Sequence, residues 1–162
     1  MLNKRMAMVL YIILNRYLQP DLQNTEKIVS VYRTAQFNAA HRLHLPQWTE
    51  EENKTVFGLC NNPNYHGHNY QLVVKLTGPV NHETGFVFDL KVLKQLINIH
   101  VIEAYDHRNL NLDCPDFADF NTTAENIAIV IWNKLRPYIN KELKLSIKLY
   151  ETERNYVKYK GN

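Results

Sequence analysis

His66-Gly67-His68-Asn69-Tyr70-Gln71-Leu72-Val73-Val74-Lys75-Leu76-Thr77 is the stretch whose reading decides the fold. From Asn69 onward it alternates. Tyr70, Leu72, Val74 and Leu76 fall on one face and Gln71 and Lys75 on the other, the period of a strand with one face buried. If the segment after Cys60 has already entered the strand, the same period puts the imidazoles of His66 and His68 on one face, with Gly67 between them adding no bulk. Two imidazoles so placed suit a divalent metal. A third histidine from a neighbouring strand makes a three-nitrogen zinc site with its fourth position open, the arrangement of catalytic rather than structural zinc.

Upstream, residues 28–37 are rich in β-branched and aromatic types and read as a second strand. Residues 38–64, with Pro46, a polar cluster from Thr49 to Asn53 and Asn61-Asn62-Pro63-Asn64, read as a long irregular loop between the suspected ligands. Downstream, Gly78-Pro79 and Asn81 to Gly85 make a turn, after which Phe86-Val87-Phe88 is expected to continue the sheet briefly. Asp89 is placed to cap a helix carrying Leu90, Leu93, Ile97, Val101 and Ala104 at helical spacing. Thr122-Thr-Ala-Glu125 reads as a capping box for a second helix with Ile127, Ala128, Ile131, Trp132 and Leu135, ended by Pro137. Leu145, Ile147 and Leu149 alternate with polar residues, and with Tyr156, Val157 and Tyr159 they predict a C-terminal hairpin. The order is two strands, a helix pair, two strands. It predicts an α+β fold, a four-stranded sheet with two helices on one face. Such a sheet has two open edges, and covering them calls for oligomerisation.

At 162 residues the chain is one domain, with no internal repeat or low-complexity segment. Nineteen basic against sixteen acidic residues give a net charge of +3 without runs of like charge, which leaves no footprint for nucleic acid but is compatible with a small anionic substrate. Two cysteines, Cys60 and Cys114, do not make a disulfide framework and point to a reducing compartment, the cytoplasm. Met6–Leu14 is apolar behind Lys4 and Arg5, but no small-x-small cleavage site follows it, and it is shorter than the ~20 residues that span a bilayer. Residues 1–29 are therefore read as an N-terminal extension, an accessory segment ahead of a domain over 30–162, with no membrane partner.

The third ligand is either His41, where a strand runs out into a loop, or His44 three residues on; His41 is the favoured choice. Cys60 sits among turn-prone polar residues, away from any apolar periodic face. Near a metal-bound group and a histidine it would be a thiolate able to take a proton. Cys114, beside Pro115, reads as a small buried hydrophobe. His82 and His100 read as surface residues. Asp106-His107 closes the first helix and reads either as a proton relay or as a helix end, with the imidazole favoured by the dipole. As neighbours in sequence, the two side chains are expected to diverge. Glu151, at the end of an alternating strand, is either a solvated hairpin charge or a carboxylate that accepts two parallel hydrogen bonds from an amino-amidine edge such as that of a pterin ring. Glu125 has its own place in the capping box.

These residues together resemble the 6-pyruvoyl-tetrahydropterin synthase family. The matching segments are Phe37-Asn-Ala-Ala-His41, Phe57 to Tyr70, Thr84 to Leu90, Asp106 to Leu110, Thr122-Thr-Ala-Glu-Asn126 and Leu149-Tyr-Glu-Thr-Glu153, in order over about residues 30–161. The resemblance implies a tunnelling fold in which three subunits close a barrel on trimerisation and two trimers stack as a homohexamer. It implies Zn2+ on His41, His66 and His68, with Cys60 as proton acceptor. Asp106 and His107 would serve in the proton relay across a subunit boundary. Glu151 would anchor the pterin and share in the catalysis, with Thr122, Thr123 and Glu125 helping to hold the ring. The reaction implied is conversion of 7,8-dihydroneopterin triphosphate to 6-pyruvoyl-tetrahydropterin with loss of triphosphate, the carbon–oxygen lyase step of tetrahydrobiopterin biosynthesis. Arg33, Arg42, Lys54 or a partner's residues are the candidates to hold the triphosphate.

Two alternatives stand beside it. The 6-carboxy-tetrahydropterin synthases of deazapurine (queuosine) biosynthesis share the zinc and the substrate, but commonly place three residues between the cysteine and the first histidine; here there are five, Asn61 to Tyr65. A non-catalytic pterin-binding oligomer has no need of Cys60 beside all three ligands. Tyr65 is a departure, since animal members commonly have glycine there, and this side chain is expected to narrow the pocket.

Overall fold

The computed structural model describes residues 27–161; the Met6–Leu14 stretch and most of the 1–29 extension lie outside the described residues. Two long strands organise everything else. β1 (Ile28–His41) and β2 (His66–Pro79) pair antiparallel along their whole length, from Ile28 opposite Pro79 to His41 opposite His66. Both are longer than the sequence pattern alone predicted. At their open ends the alternation runs into polar residues and histidines, which hides the strand from a hydrophobicity count. β3 (Arg108–Asn109) is a two-residue strand parallel to Ala39–Ala40, while β4 (Lys144–Tyr150) pairs with β2 and β5 (Tyr156–Tyr159) closes the expected C-terminal hairpin. The order across the sheet is β3-β1-β2-β4-β5, the four expected strands with one short addition.

Phe86–Phe88 does not continue the sheet. The Asn81 carboxamide oxygen accepts from the amides of Glu83 and Thr84, and the Asn81 amide bonds the Phe86 carbonyl at 2.9 Å, so the segment is committed to turns despite its strand-like composition.

Among the described residues three helices accompany the sheet. α1 (Glu50–Phe57) lies inside the stretch expected to be irregular, and a full capping box between Thr49 and Glu52 starts it. α2 (Leu90–Ile97) begins at Asp89, whose carboxylate accepts from the Lys91 amide, and runs on through a wide turn of π type (Asn98–Ile102) to a last helical turn at Glu103–Tyr105. α3 (Ala124–Leu135) is capped by Thr123, one residue later than the pattern predicted. Thr122 cannot serve as its cap. Its hydroxyl is turned to the Arg42 carbonyl and Asn111, and its own carbonyl is taken by His41.

The core lies between one face of the sheet and α2 and α3. Tyr70, Leu72, Val74 and Leu76 of β2 meet Ile147 and Leu149 of β4, Leu93, Ile97 and Val101 of the α2 segment, and Ile127, Ile131 and Leu135 of α3, all buried. Each such side chain contributes about 1.5–3 kcal/mol by leaving water. The register that buries Leu72 and Val74 turns Lys75, Lys144, Lys148 and Lys158 to the opposite face of the sheet, away from the core.

Candidate metal and catalytic site

At the end of the sheet where β1 stops and β2 starts, the register sets His41 directly across from His66 and Ala39 across from His68. All three imidazoles emerge on the core-facing side. Their ring centroids lie 4.5–5.1 Å apart, and one ring nitrogen from each comes within 4.8 Å of the others. His41 is buried, and His66 and His68 are half-buried.

Hydrogen bonding decides how His41 presents itself. Its Nδ1 lies 2.7 Å from the Thr122 carbonyl, which can only accept, so Nδ1 carries the proton and Nε2 keeps a free lone pair. A backbone carbonyl behind the ring fixes both tautomer and orientation, as around ligating histidines generally. Among the described residues, His41 Nε2, His66 Nδ1 and His68 Nε2 are buried without a hydrogen-bond partner. Three orphaned basic nitrogens gathered at one point fit a divalent cation that takes nitrogen donors. Burial is the largest influence on His41 and lowers its pKa from 6.5 to about 4, with the charges of His66 and His68 acting the same way and the Thr122 hydrogen bond opposing. Burial, then His68, also lowers the pKa of His66. Both shifts favour the neutral form of His41 and His66, the form that ligation requires.

His44, the competing ligand, is not brought to the cluster: among the described residues the ring nitrogens gathered at one point are those of His41, His66 and His68, while His44 Nδ1 lies 3.0 Å from the Asn61 carboxamide oxygen. Cys60 stands in a single 3-10 turn, Gly58–Asn61, half-buried. Its carbonyl accepts from Leu43, two residues past His41, while the Arg42 guanidinium Nε donates to Asn61, so the turn is strapped to the end of β1. Arg42 also lies 3.7 Å from Glu50. Beneath the histidines the Tyr70 ring stacks on Phe37, and burial, then Glu151 and Cys60, push its hydroxyl pKa strongly up.

Glu151 is brought to the histidines by the β4–β5 turn. Its Oε1 is 3.6 Å from His41 Nε2 and 3.9 Å from His68 Nε2, so it is no free hairpin charge. With Thr123, Glu125, Leu43 and Arg154 it lines a cleft of about 380 Å³. Glu125 is exposed toward this cleft because the cap at Thr123 makes no use of it. Thr122, by contrast, is fully buried and acts on His41.

Asp106 and His107 do not diverge. His107 adopts a left-handed backbone (φ 58°), and its Nδ1 lies 3.0 Å from the Asp106 carboxylate. Asp106 also accepts from the Asn38 amide, the main reason its pKa is lowered. Among the described residues no hydrogen bond or ion pair joins this dyad to the three histidines, and the His107 side chain is 83% exposed. Cys114 is buried, and burial raises its thiol pKa, in keeping with an inert core position.

Two features escaped the sequence reading. Asn53, fully buried on α1, donates to the carbonyls of Leu45, Trp48 and Thr49 and accepts from the Leu45 amide, holding the loop that follows the metal-side end of β1. Tyr65 has φ 62°, the left-handed region that costs a non-glycine residue roughly 1 kcal/mol or more, so the position favours glycine for its backbone as well as its size.

The family model described as 6-pyruvoyl tetrahydropterin synthase matches residues 30–162. The human 6-pyruvoyl tetrahydrobiopterin synthase is 43% identical over 131 residues, covering 81% of this chain and 90% of that protein. The enzyme of the same name from Poecilia reticulata is 41% identical over 136 residues, 84% of this chain and 92% of that one. The solved structure of Caenorhabditis elegans 6-pyruvoyl tetrahydropterin synthase superposes with a TM-score of 0.80 at 41% identity, covering 85% of this chain and 98% of that chain.

Proposed function

The chain belongs to the 6-pyruvoyl tetrahydropterin synthase family, and from that premise we propose that it is a zinc-dependent lyase converting 7,8-dihydroneopterin triphosphate to 6-pyruvoyl-tetrahydropterin and triphosphate. The observation that carries the zinc is the set of three unpartnered ring nitrogens on His41, His66 and His68. Bound there, the ion would supply Lewis acidity toward the substrate's side-chain oxygens.

The chain's own groups do the rest. Glu151 accepts the paired N–H donors of the pterin edge in the cleft it lines with Thr123 and Glu125. Cys60, held near the histidines by its strap to Leu43, takes and returns protons at the side-chain carbons. Asp106 and His107, paired on an exposed corner, serve the proton relay of a neighbouring subunit. The unclosed sheet, with β3 and β5 at its edges, supports a barrel of three subunits and a homohexamer of two such trimers. A cytoplasmic location suits a Cys60 that must stay reduced. No helix of the described residues is long and apolar enough to cross a membrane.

Mass spectrometry of the products from dihydroneopterin triphosphate tests the reading. The expected products are the pyruvoyl pterin and triphosphate. A carboxy pterin with acetaldehyde as the main products would refute it in favour of the deazapurine-pathway reaction. Metal analysis of His66→Ala tests the ligand set separately: the variant should lose zinc, and stoichiometric retention would count against the site.

A further inference from the structure

A second cavity lies away from the histidines. It measures about 810 Å³ and lies toward the other end of the sheet, where Thr77 of β2 pairs with Lys144 of β4, and Trp132, Asn133 and Arg136 at the end of α3 share its lining. His68 and Thr77 are nine residue steps apart along β2, roughly 30 Å at ~3.3 Å each.

Its lining includes six cations, Lys75, Arg136, Lys141, Lys144, Lys158 and Lys160, and no carboxylate. None of the six joins an ion pair among the described residues. Arg136 spends its terminal nitrogens on the carbonyls of Ile139, Asn140 and Leu143, leaving its buried Nε without a partner. The concentration is strong for so mildly basic a chain: outside these six, thirteen basic residues stand against sixteen acidic. Like charges lining one cavity repel one another, and a bound polyanion relieves that repulsion.

We propose that this cavity binds a small polyphosphate, a linear triphosphate group either free or carried by a nucleoside. The lysines of its lining act as point charges toward phosphoryl oxygens. The volume lies within the range of small-molecule sites, and the acidic balance of the rest of the chain offers no extended track for a nucleic-acid strand. The site is separate from the catalytic cleft, so it does not depend on the reaction assigned there.

Calorimetric titration of the full-length, zinc-loaded protein with inorganic triphosphate, ATP and orthophosphate tests this. Triphosphate should bind saturably at low salt and weaken toward about 0.15 M NaCl, and orthophosphate should bind far less well. Equal affinity for ATP and inorganic triphosphate identifies the triphosphate group alone as the ligand, whereas tighter ATP binding identifies a nucleotide. The double variant Lys144→Glu, Lys158→Glu should lose at least about tenfold in affinity, and the milder Lys144→Gln, Lys158→Gln should lose less, because charge-assisted contacts are removed. Both should keep the turnover of the unaltered protein and its circular dichroism. The proposal is overturned if no triphosphate binds, if the lysine variants bind it unchanged, if binding disappears only in Glu151→Gln, or if the lysine changes alter the sedimenting mass instead, which would make the cavity a subunit contact. Calorimetry reads the cavity even if no pterin is turned over, so the two readings fail separately.

Discussion

Lowering the pH of the zinc-free protein should remove stability through His41 before any carboxylate contributes. The imidazole is 1% exposed, its pKa is lowered from 6.5 to about 4, and burial is the largest cause. A depressed folded-state value means the unfolded chain takes up the proton first. The stability from keeping His41 neutral is therefore complete above pH 6.5 and is lost as the pH falls through about 4. At 1.36 kcal/mol per pH unit this is about 3 kcal/mol over the window, and about 2 kcal/mol by pH 5. With a urea dependence of about 2 kcal/mol/M, the unfolding midpoint should drop by roughly 1 M between pH 7 and pH 5. The assay is urea unfolding followed by circular dichroism, in chelator, at half-unit steps. His41→Asn removes the titrating ring and should flatten the slope, leaving the contribution of His66, which is lowered in the same direction. The lowered carboxylates of Glu52 and Asp106 act only below about pH 4.5, outside this window. Equal slopes for the wild type and His41→Asn between pH 6.5 and 5 would refute the account of a buried, neutral imidazole.

Cys60→Ala should leave zinc content and circular dichroism unchanged while lowering turnover by about 10²- to 10⁴-fold, the span typical of a lost proton-transfer group; undiminished turnover would remove Cys60 from the chemistry. Asn53→Ala breaks four hydrogen bonds around the loop after His41 and should cost about 2–3 kcal/mol, a fall of roughly 5–10 °C in Tm by differential scanning calorimetry. A Tm within a degree of wild type would show that the loop does not need that side chain.

His66 and His68 are legible in the sequence because their relation is local: two residues apart on a strand is one face, whatever surrounds it. The choice between His41 and His44 is not local. It is made by the Thr122 carbonyl, 81 positions away, and by Asn61, which occupies His44 instead. Glu151 was equally ambiguous, since only the β4–β5 turn carries its carboxylate back over the histidines. α1 has a readable start in Thr49 and Glu52, but it is eight residues long and exposed except for buried Asn53 and half-buried Phe57, so no apolar period marks it; a polar side chain anchors it. β3 is two residues, too short for any period, and it exists because the Asn38 carbonyl and the Ala40 carbonyl take the amides of His107 and Leu110. The same pairing carries Asp106 and His107 to the outer flank of β1, away from the histidines of their own chain, with the His107 ring exposed and Asp106 half-buried. Antiparallel pairing of β1 with β2 sets His41 against His66, so register between the two longest strands brings the three histidines together, and the Thr122 carbonyl then orients the His41 ring. A one-residue slip would turn every ligand of one strand to the far face, while it moved Phe37 and Ala39 or Tyr70 and Leu72 into water. The core that stabilises the sheet is thereby also what holds the three nitrogens together.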